Sequence, residues 1–108
     1  MKDSKILIIE DETITALELK KNLKQWGYLD PEVVISGEEA LEKMEKIDPD
    51  LLLVDIKLPG KMSGITTVQK IKKIKDIPVI YITSFKDKET VKKASNTNPF
   101  SYHQNHWI

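Results

Sequence analysis

Leu51-Leu52-Leu53-Val54-Asp55 is four apolar residues that stop at an acid. A short, uninterrupted apolar run of this kind reads as a strand buried on both faces, as in a parallel sheet. Ile6-Leu7-Ile8-Ile9 ends the same way, at Glu10-Asp11. Two such strands lying side by side would deliver Glu10, Asp11 and Asp55 to one edge of the sheet. Carboxylates held close together repel, and a hard divalent cation with oxygen ligands is the usual reason to gather them. In open α/β sheets ligands bind at that carboxyl edge, so function is expected there.

Working outward, short apolar runs alternate with longer amphipathic stretches. Glu12 to Trp26 predicts a helix, with Ile14, Leu17, Leu19, Leu23 and Trp26 as its apolar positions and Lys20, Lys21 and Lys24 solvated. Gly27 ends it. Glu32 to Ile35 predicts a short second strand. Ser36 or Gly37 opens a helix that runs to about Ile47, with Ala40, Leu41 and Met44 inward. Asp48-Pro49-Asp50 turns the chain into the Leu51 strand. After the loop Leu58 to Gly64, a helix is expected from roughly Ile65 to Ile74 with Val68 and Ile71 inward. Val79 to Ile82 is the fourth strand and stops at Thr83-Ser84. A weak, polar helix is expected over Lys88 to Ser95, and Phe100-Ser101-Tyr102 begins a fifth strand. The alternation predicts a parallel sheet with helices on both faces.

The chain has 108 residues, enough for a single domain of modest core. Its 17 basic and 17 acidic residues balance, which argues against a broad electrostatic grip on nucleic acid or on an anionic membrane. The absence of cysteine excludes thiolate metal sites and thiol nucleophiles. No apolar run approaches transmembrane length and no signal peptide is recognisable, so a cytoplasmic location is expected.

Three segments carry a resemblance to a known family: Ile6 to Glu12, Asp55-Ile56-Lys57-Leu58-Pro59-Gly60 with Met62-Ser63-Gly64, and Val79 to Ser84. In this order, each at a strand end, they resemble the receiver domain of two-component response regulators, the CheY-like family. The resemblance implies a flavodoxin-like, doubly wound sheet of five parallel strands in the order 2-1-3-4-5. It implies that Asp55 accepts a phosphoryl group from a histidine kinase or a phosphotransfer protein. It implies Mg²⁺ held by Asp11 and Asp55, with Glu10 assisting through water and the backbone carbonyl of Lys57 as a further ligand. Thr83 matches the hydroxyl that binds the phosphoryl group, and Tyr102 the aromatic that switches with it. Lys57 and Phe85 stand where the phosphoryl lifetime is tuned.

The sequence departs from the family beyond Tyr102. Three residues further on, where the family has a phosphate-binding Lys, stands Asn105, and the final helix is missing. The domain is therefore expected to span residues 1–108 and to be truncated or altered after about residue 102. Back-translated and read two bases later, the stretch from His103 permits Ser-Lys-Pro, the family's usual ending, as a frameshift would produce. An irregular last strand, an output domain lost or on another chain, and a homodimer through the strand 4 and strand 5 side are the structural expectations.

Two rivals stand beside this reading. One is a pseudo-receiver, an interaction module that keeps the fold without being phosphorylated, for which Asn105 speaks. The other is an aspartyl phosphatase, which needs a second acid two residues after the nucleophile, where this chain has Lys57. The expectation is thus a signalling receiver and not an enzyme acting on a separate substrate. Read alone, Glu10 and Asp11 would also serve as caps of the first helix.

Overall fold

The computed structural model describes residues 4–58 and 60–83, together with the backbone of 101–104. The elements run β1 (Ile6–Ile9), α1 (Thr13–Gln25), β2 (Glu32–Val34), α2 (Gly37–Ile47), β3 (Leu51–Asp55), α3 (Gly64–Ile74), β4 (Val79–Thr83) and β5 (Ser101–Gln104). All pairings are parallel and the order is β2-β1-β3-β4-β5, as the sequence predicts. The chain is thus an α/β, flavodoxin-like, doubly wound fold.

The apolar run of β1 is a central strand because both of its faces are covered. Every residue of β1 is buried. Side chains alternate across the sheet, so each strand feeds two cores. Leu7, Ile9, Leu52, Val54, Val79 and Tyr81 face one layer, filled by Ala40 and Met44 of α2 and Val68 and Ile71 of α3. Ile6, Ile8, Leu53 and Ile82 face the other, filled by Leu19 and Leu23 of α1. Among the described residues α1 is the sole helix on that second face. A helix is about 10 Å across and five strands span about 19 Å, so one helix does not cover the sheet. An apolar groove of about 400 Å³ accordingly lies beside α1, lined by Leu19, Leu23, Trp26, Leu53, Ile80 and Ile82 among others.

Local chemistry fixes the helix starts. Ser36 accepts the Glu39 N–H at 3.1 Å, while the Glu39 carboxylate reaches back to the Ile35 N–H at 2.9 Å, a reciprocal cap. Ser63 caps α3 through the Thr66 N–H at 3.2 Å. At the end of α2, Asp48 takes the left-handed conformation (φ 47°) and receives Lys75 Nζ at 2.8 Å. The Lys75 ammonium holds the exposed Asp48 carboxyl below its ordinary range.

Two expectations are corrected. In α1 the residues turned to the sheet are Thr15, Ala16, Leu19 and Leu23, whereas Ile14 and Leu17 are 71% and 60% exposed and Trp26 is 68% exposed. Rows at i, i+4 and i+8 put Thr15, Leu19 and Leu23 in line, and Ile14 and Leu17 fall on the opposite side of the helix. The last strand is also not irregular. It runs from Ser101 through His103 to Gln104 in register with Ile80 to Thr83. Backbone groups alone make that ladder, so the polar residues of an edge strand do not interrupt it. The weak helix over Lys88 to Ser95 and the residues after Gln104 lie outside the described residues. Among the described residues no helix is long and apolar enough to cross a membrane.

Candidate functional site

β1 and β3 are neighbours in register, with Ile9 opposite Val54. Their next residues, Glu10 and Asp55, therefore leave the sheet side by side at its C-terminal edge. One carboxylate oxygen from each of Glu10, Asp11 and Asp55 lies within 4.8 Å of the others. The three acids predicted from the strand ends thus form one cluster, graded in exposure from buried Glu10 through half-buried Asp55 to exposed Asp11.

Burial and crowding set the protonation of this cluster. Glu10 is 3% exposed. Loss of hydration pushes its carboxyl up to about 8; the charges of Asp55 and Asp11 push the same way, against the Glu12 N–H, which donates to Glu10 Oε1 at 3.0 Å. Asp55 is pushed up to about 6, chiefly by desolvation, while the Lys57 N–H bonded to its Oδ1 at 3.0 Å and a hydrogen bond from Glu10 pull it back. Both carboxyls are therefore held above the ordinary carboxylate range, Glu10, the more buried, more than Asp55. A proton relieves the repulsion of gathered carboxylates, and so does a divalent cation. An all-oxygen set with two acids at the solvent side fits a hard cation that retains much of its own water.

Neither Glu10 nor Asp11 is the N-cap residue of α1, although Glu10 accepts the N–H of the residue that is. The residue at the N-cap of α1 is Glu12, whose side chain makes no capping bond. Lys57 follows Asp55 by two residues, and its N–H orients the Asp55 carboxylate. Thr83 closes β4 one residue beyond Ile82, the partner of Asp55, so its backbone sits at the same edge of the sheet. Tyr102 stands in β5 opposite Tyr81. The side chains of Thr83 and Tyr102, and the whole of Phe85 and Asn105, lie outside the described residues. Sequence reasoning missed Gly64 as part of this neighbourhood. Its N–H donates to the Ile56 carbonyl at 2.9 Å, directly behind Asp55. The Met62-Ser63-Gly64 segment was the available signal.

The chain is similar to several proteins of known class. It is 30% identical over 98 residues to the transcriptional regulatory protein PdtaR of Mycobacterium tuberculosis, covering 91% of this chain and 47% of that protein. It is 37% identical over 87 residues to the alkaline phosphatase synthesis transcriptional regulatory protein PhoP of Bacillus subtilis, covering 81% of this chain and 35% of that one. The chain spans less than half the length of either relative. Among solved structures, the signal receiver domain of a modulated diguanylate cyclase from Desulfovibrio desulfuricans superposes with a TM-score of 0.89 at 36% identity, over 96% of this chain and 82% of that one. The model of the response regulator receiver domain matches residues 6–102, nearly the whole chain and every element that builds the acidic edge, and this chain belongs to that family.

Proposed function

We propose that the chain is a phosphorelay receiver in which Asp55 accepts a phosphoryl group from a histidine kinase or a phosphotransfer protein. The observation that carries this reading is the position of Asp55. It ends a central strand, half-buried and oriented by the Lys57 N–H, with the carboxylates of Glu10 and Asp11 beside it. A carboxylate oxygen of Asp55 forms the new bond to phosphorus as the bond from phosphorus to the donor's imidazole nitrogen breaks, and that nitrogen keeps the electron pair. Asp11, Asp55 and the Lys57 carbonyl would hold Mg²⁺, with Glu10 behind them. Bound there, the cation supplies the positive charge that offsets an anion attacking an anion. Glu10 holds or releases a proton according to whether that charge is present. Thr83 is the proposed hydroxyl partner of the phosphoryl group, and Tyr102 the aromatic that follows it. Lys57 and Phe85 are the proposed tuners of phosphoryl lifetime.

Incubation with acetyl phosphate and Mg²⁺, followed by intact mass measurement, tests this. A phosphate adduct that disappears in Asp55→Asn is expected. Asn105 supports one other reading, because an amide lacks the charge of the lysine that the family places there. In that reading the chain is a pseudo-receiver, an interaction module, and the same experiment yields no adduct. Output through another domain or chain, a cytoplasmic site of action, and a homodimer through the β4 and β5 side belong to the proposal as well.

A further inference from the structure

The segment Asp55-Ile56-Lys57 carries the phosphoacceptor and the proposed carbonyl ligand of the metal. It is clamped from two directions. On one side the Ile56 N–H donates to the Ile82 carbonyl of β4 at 3.3 Å. On the other, the Gly64 N–H donates to the Ile56 carbonyl at 2.9 Å, so the chain leaves β3, loops out, and returns to close on the residue after Asp55.

At Gly64 this closure leaves no room for a side chain. A Cβ there would collide with the Asp55 carbonyl oxygen, and would lie 2.9 Å from both the Asp55 carbonyl carbon and the Ile56 Cα. All three are backbone atoms of the phosphoacceptor segment, and backbone does not swing aside as a side chain does. Gly64 has no positive φ, which only Gly27 and Gly60 among the glycines show. The first position of a helix tolerates most residues, and glycine is a poor helix former. Neither conformation nor propensity therefore requires glycine here; the close approach to Asp55 does.

We propose that Gly64 is a positioning residue for the phosphoacceptor. Its bare Cα lets the N-terminus of α3 seat flush on the Asp55–Ile56 peptide and fix where the Asp55 carboxylate and the Lys57 carbonyl meet the metal. It rests on the reading of Asp55 as a Mg²⁺-assisted phosphoacceptor. In Gly64→Ala the added methyl displaces that peptide. The Lys57 N–H to Asp55 Oδ1 bond then changes, and with it the geometry of the acidic cluster. Supports of this kind alter metal affinity by about 10–100-fold when removed.

Gly37 provides the control. A Cβ on Gly37 collides with Thr67 Oγ1, the end of a side chain at the contact of α2 and α3, and makes ordinary contact with Met62 Cβ at 3.4 Å; the nearest atoms include none of the Asp55–Ile56 backbone that Gly64 meets. Gly37→Ala should cost stability without touching the site. Mg²⁺ binding would be measured by calorimetry on the whole chain, wild type and both variants. Trimethylamine N-oxide would keep all three folded, as judged by circular dichroism. The expected result is a folded Gly64→Ala that binds Mg²⁺ about 10–100-fold more weakly and labels slowly with acetyl phosphate, beside a Gly37→Ala that binds as wild type does. Unchanged affinity in Gly64→Ala overturns the proposal. So does equal weakening in both variants, and so does a Gly64→Ala that stays unfolded in the osmolyte, since the glycine would then serve folding alone. A wild-type chain that binds no Mg²⁺ is a different result, and overturns the metal-assisted phosphoacceptor reading itself.

Discussion

Glu10 and Asp55 bring carboxylate oxygens within 4.8 Å of each other at the adjacent C-terminal ends of β1 and β3, where burial raises the proton affinity of both. Both groups hold protons more tightly folded than unfolded. The folded state therefore binds more protons than the unfolded one between their ordinary carboxylate values and the raised values of about 6 and about 8. The sign follows from linkage: stability falls as pH rises through that window. Without divalent cation the protein should be more stable near pH 5 than near pH 8. Each proton involved contributes a slope of at most about 1.4 kcal/mol per pH unit. Urea denaturation at a series of pH values in chelator checks this, and a flat or rising profile would count against the protonated pair.

Cation binding reads the same pair from the other side. A bound divalent cation favours the ionised carboxylates, so binding near neutral pH should release a proton that the cluster, and Glu10 above all, holds above its ordinary range. Apparent Mg²⁺ affinity should rise with pH up to about 8 and level off above it. Calorimetry in buffers of different ionisation enthalpy would register up to about one proton released per ion at pH 7. Glu10→Gln should abolish that release and flatten the stability profile. An affinity that does not vary with pH would place the proton elsewhere.

Much of this site was legible in the sequence, because the apolar runs of β1 and β3 end abruptly at acids. Burial on both faces makes a parallel strand read as one unbroken run, so Ile6–Ile9 and Leu51–Val54 announced both their pairing and their exit points. The state of Glu10 was not legible. Glu10 is buried, and burial raises its proton affinity, a consequence of packing that no spacing encodes. The inward face of α1 was misread for a similar reason. Ile14 and Leu17 outweigh Thr15 and Ala16 in hydropathy, but the small pair lets the helix approach the sheet. Gly64 is legible as part of the Met62-Ser63-Gly64 motif, but its close approach to the Asp55 backbone is not, because a glycine in a loop motif looks like a turn residue until that distance is known.

The layer formed by α2 and α3 should respond to deletion according to depth and not to hydropathy. Ile71 is fully buried against the sheet, whereas Ile74, one turn along, is 59% exposed. Ile71→Ala should cost about 2–5 kcal/mol by leaving a cavity, and Ile74→Ala at most about 0.5 kcal/mol. Urea midpoints measured side by side decide it. Similar losses at both positions would mean that α3 is rotated from the orientation described.

Ser36 offers a test of local chemistry away from the acids. Its hydroxyl accepts the Glu39 N–H, and Ser36→Ala leaves that donor at the start of α2 without its partner. The expected loss is about 1 kcal/mol, with Mg²⁺ binding unchanged because Ser36 is not one of the clustered acids and its bond serves only the first turn of α2. A loss of metal affinity in Ser36→Ala would instead couple the α2 cap to the acidic edge.

The second face of the sheet gives the last prediction. Five strands lie beneath one described helix there, and the groove between α1 and the strands is apolar, with Trp26 exposed at its rim. Apolar surface left in water costs about 25 cal/mol per Å², which burial against a second copy would recover. Light scattering over a concentration series should show the average mass rising towards that of a dimer. Ile80→Asp, which puts a charge on β4 at the floor of the groove, should return it to that of the single chain. A mass that stays at one chain throughout the series would rule out association through the β4 and β5 side.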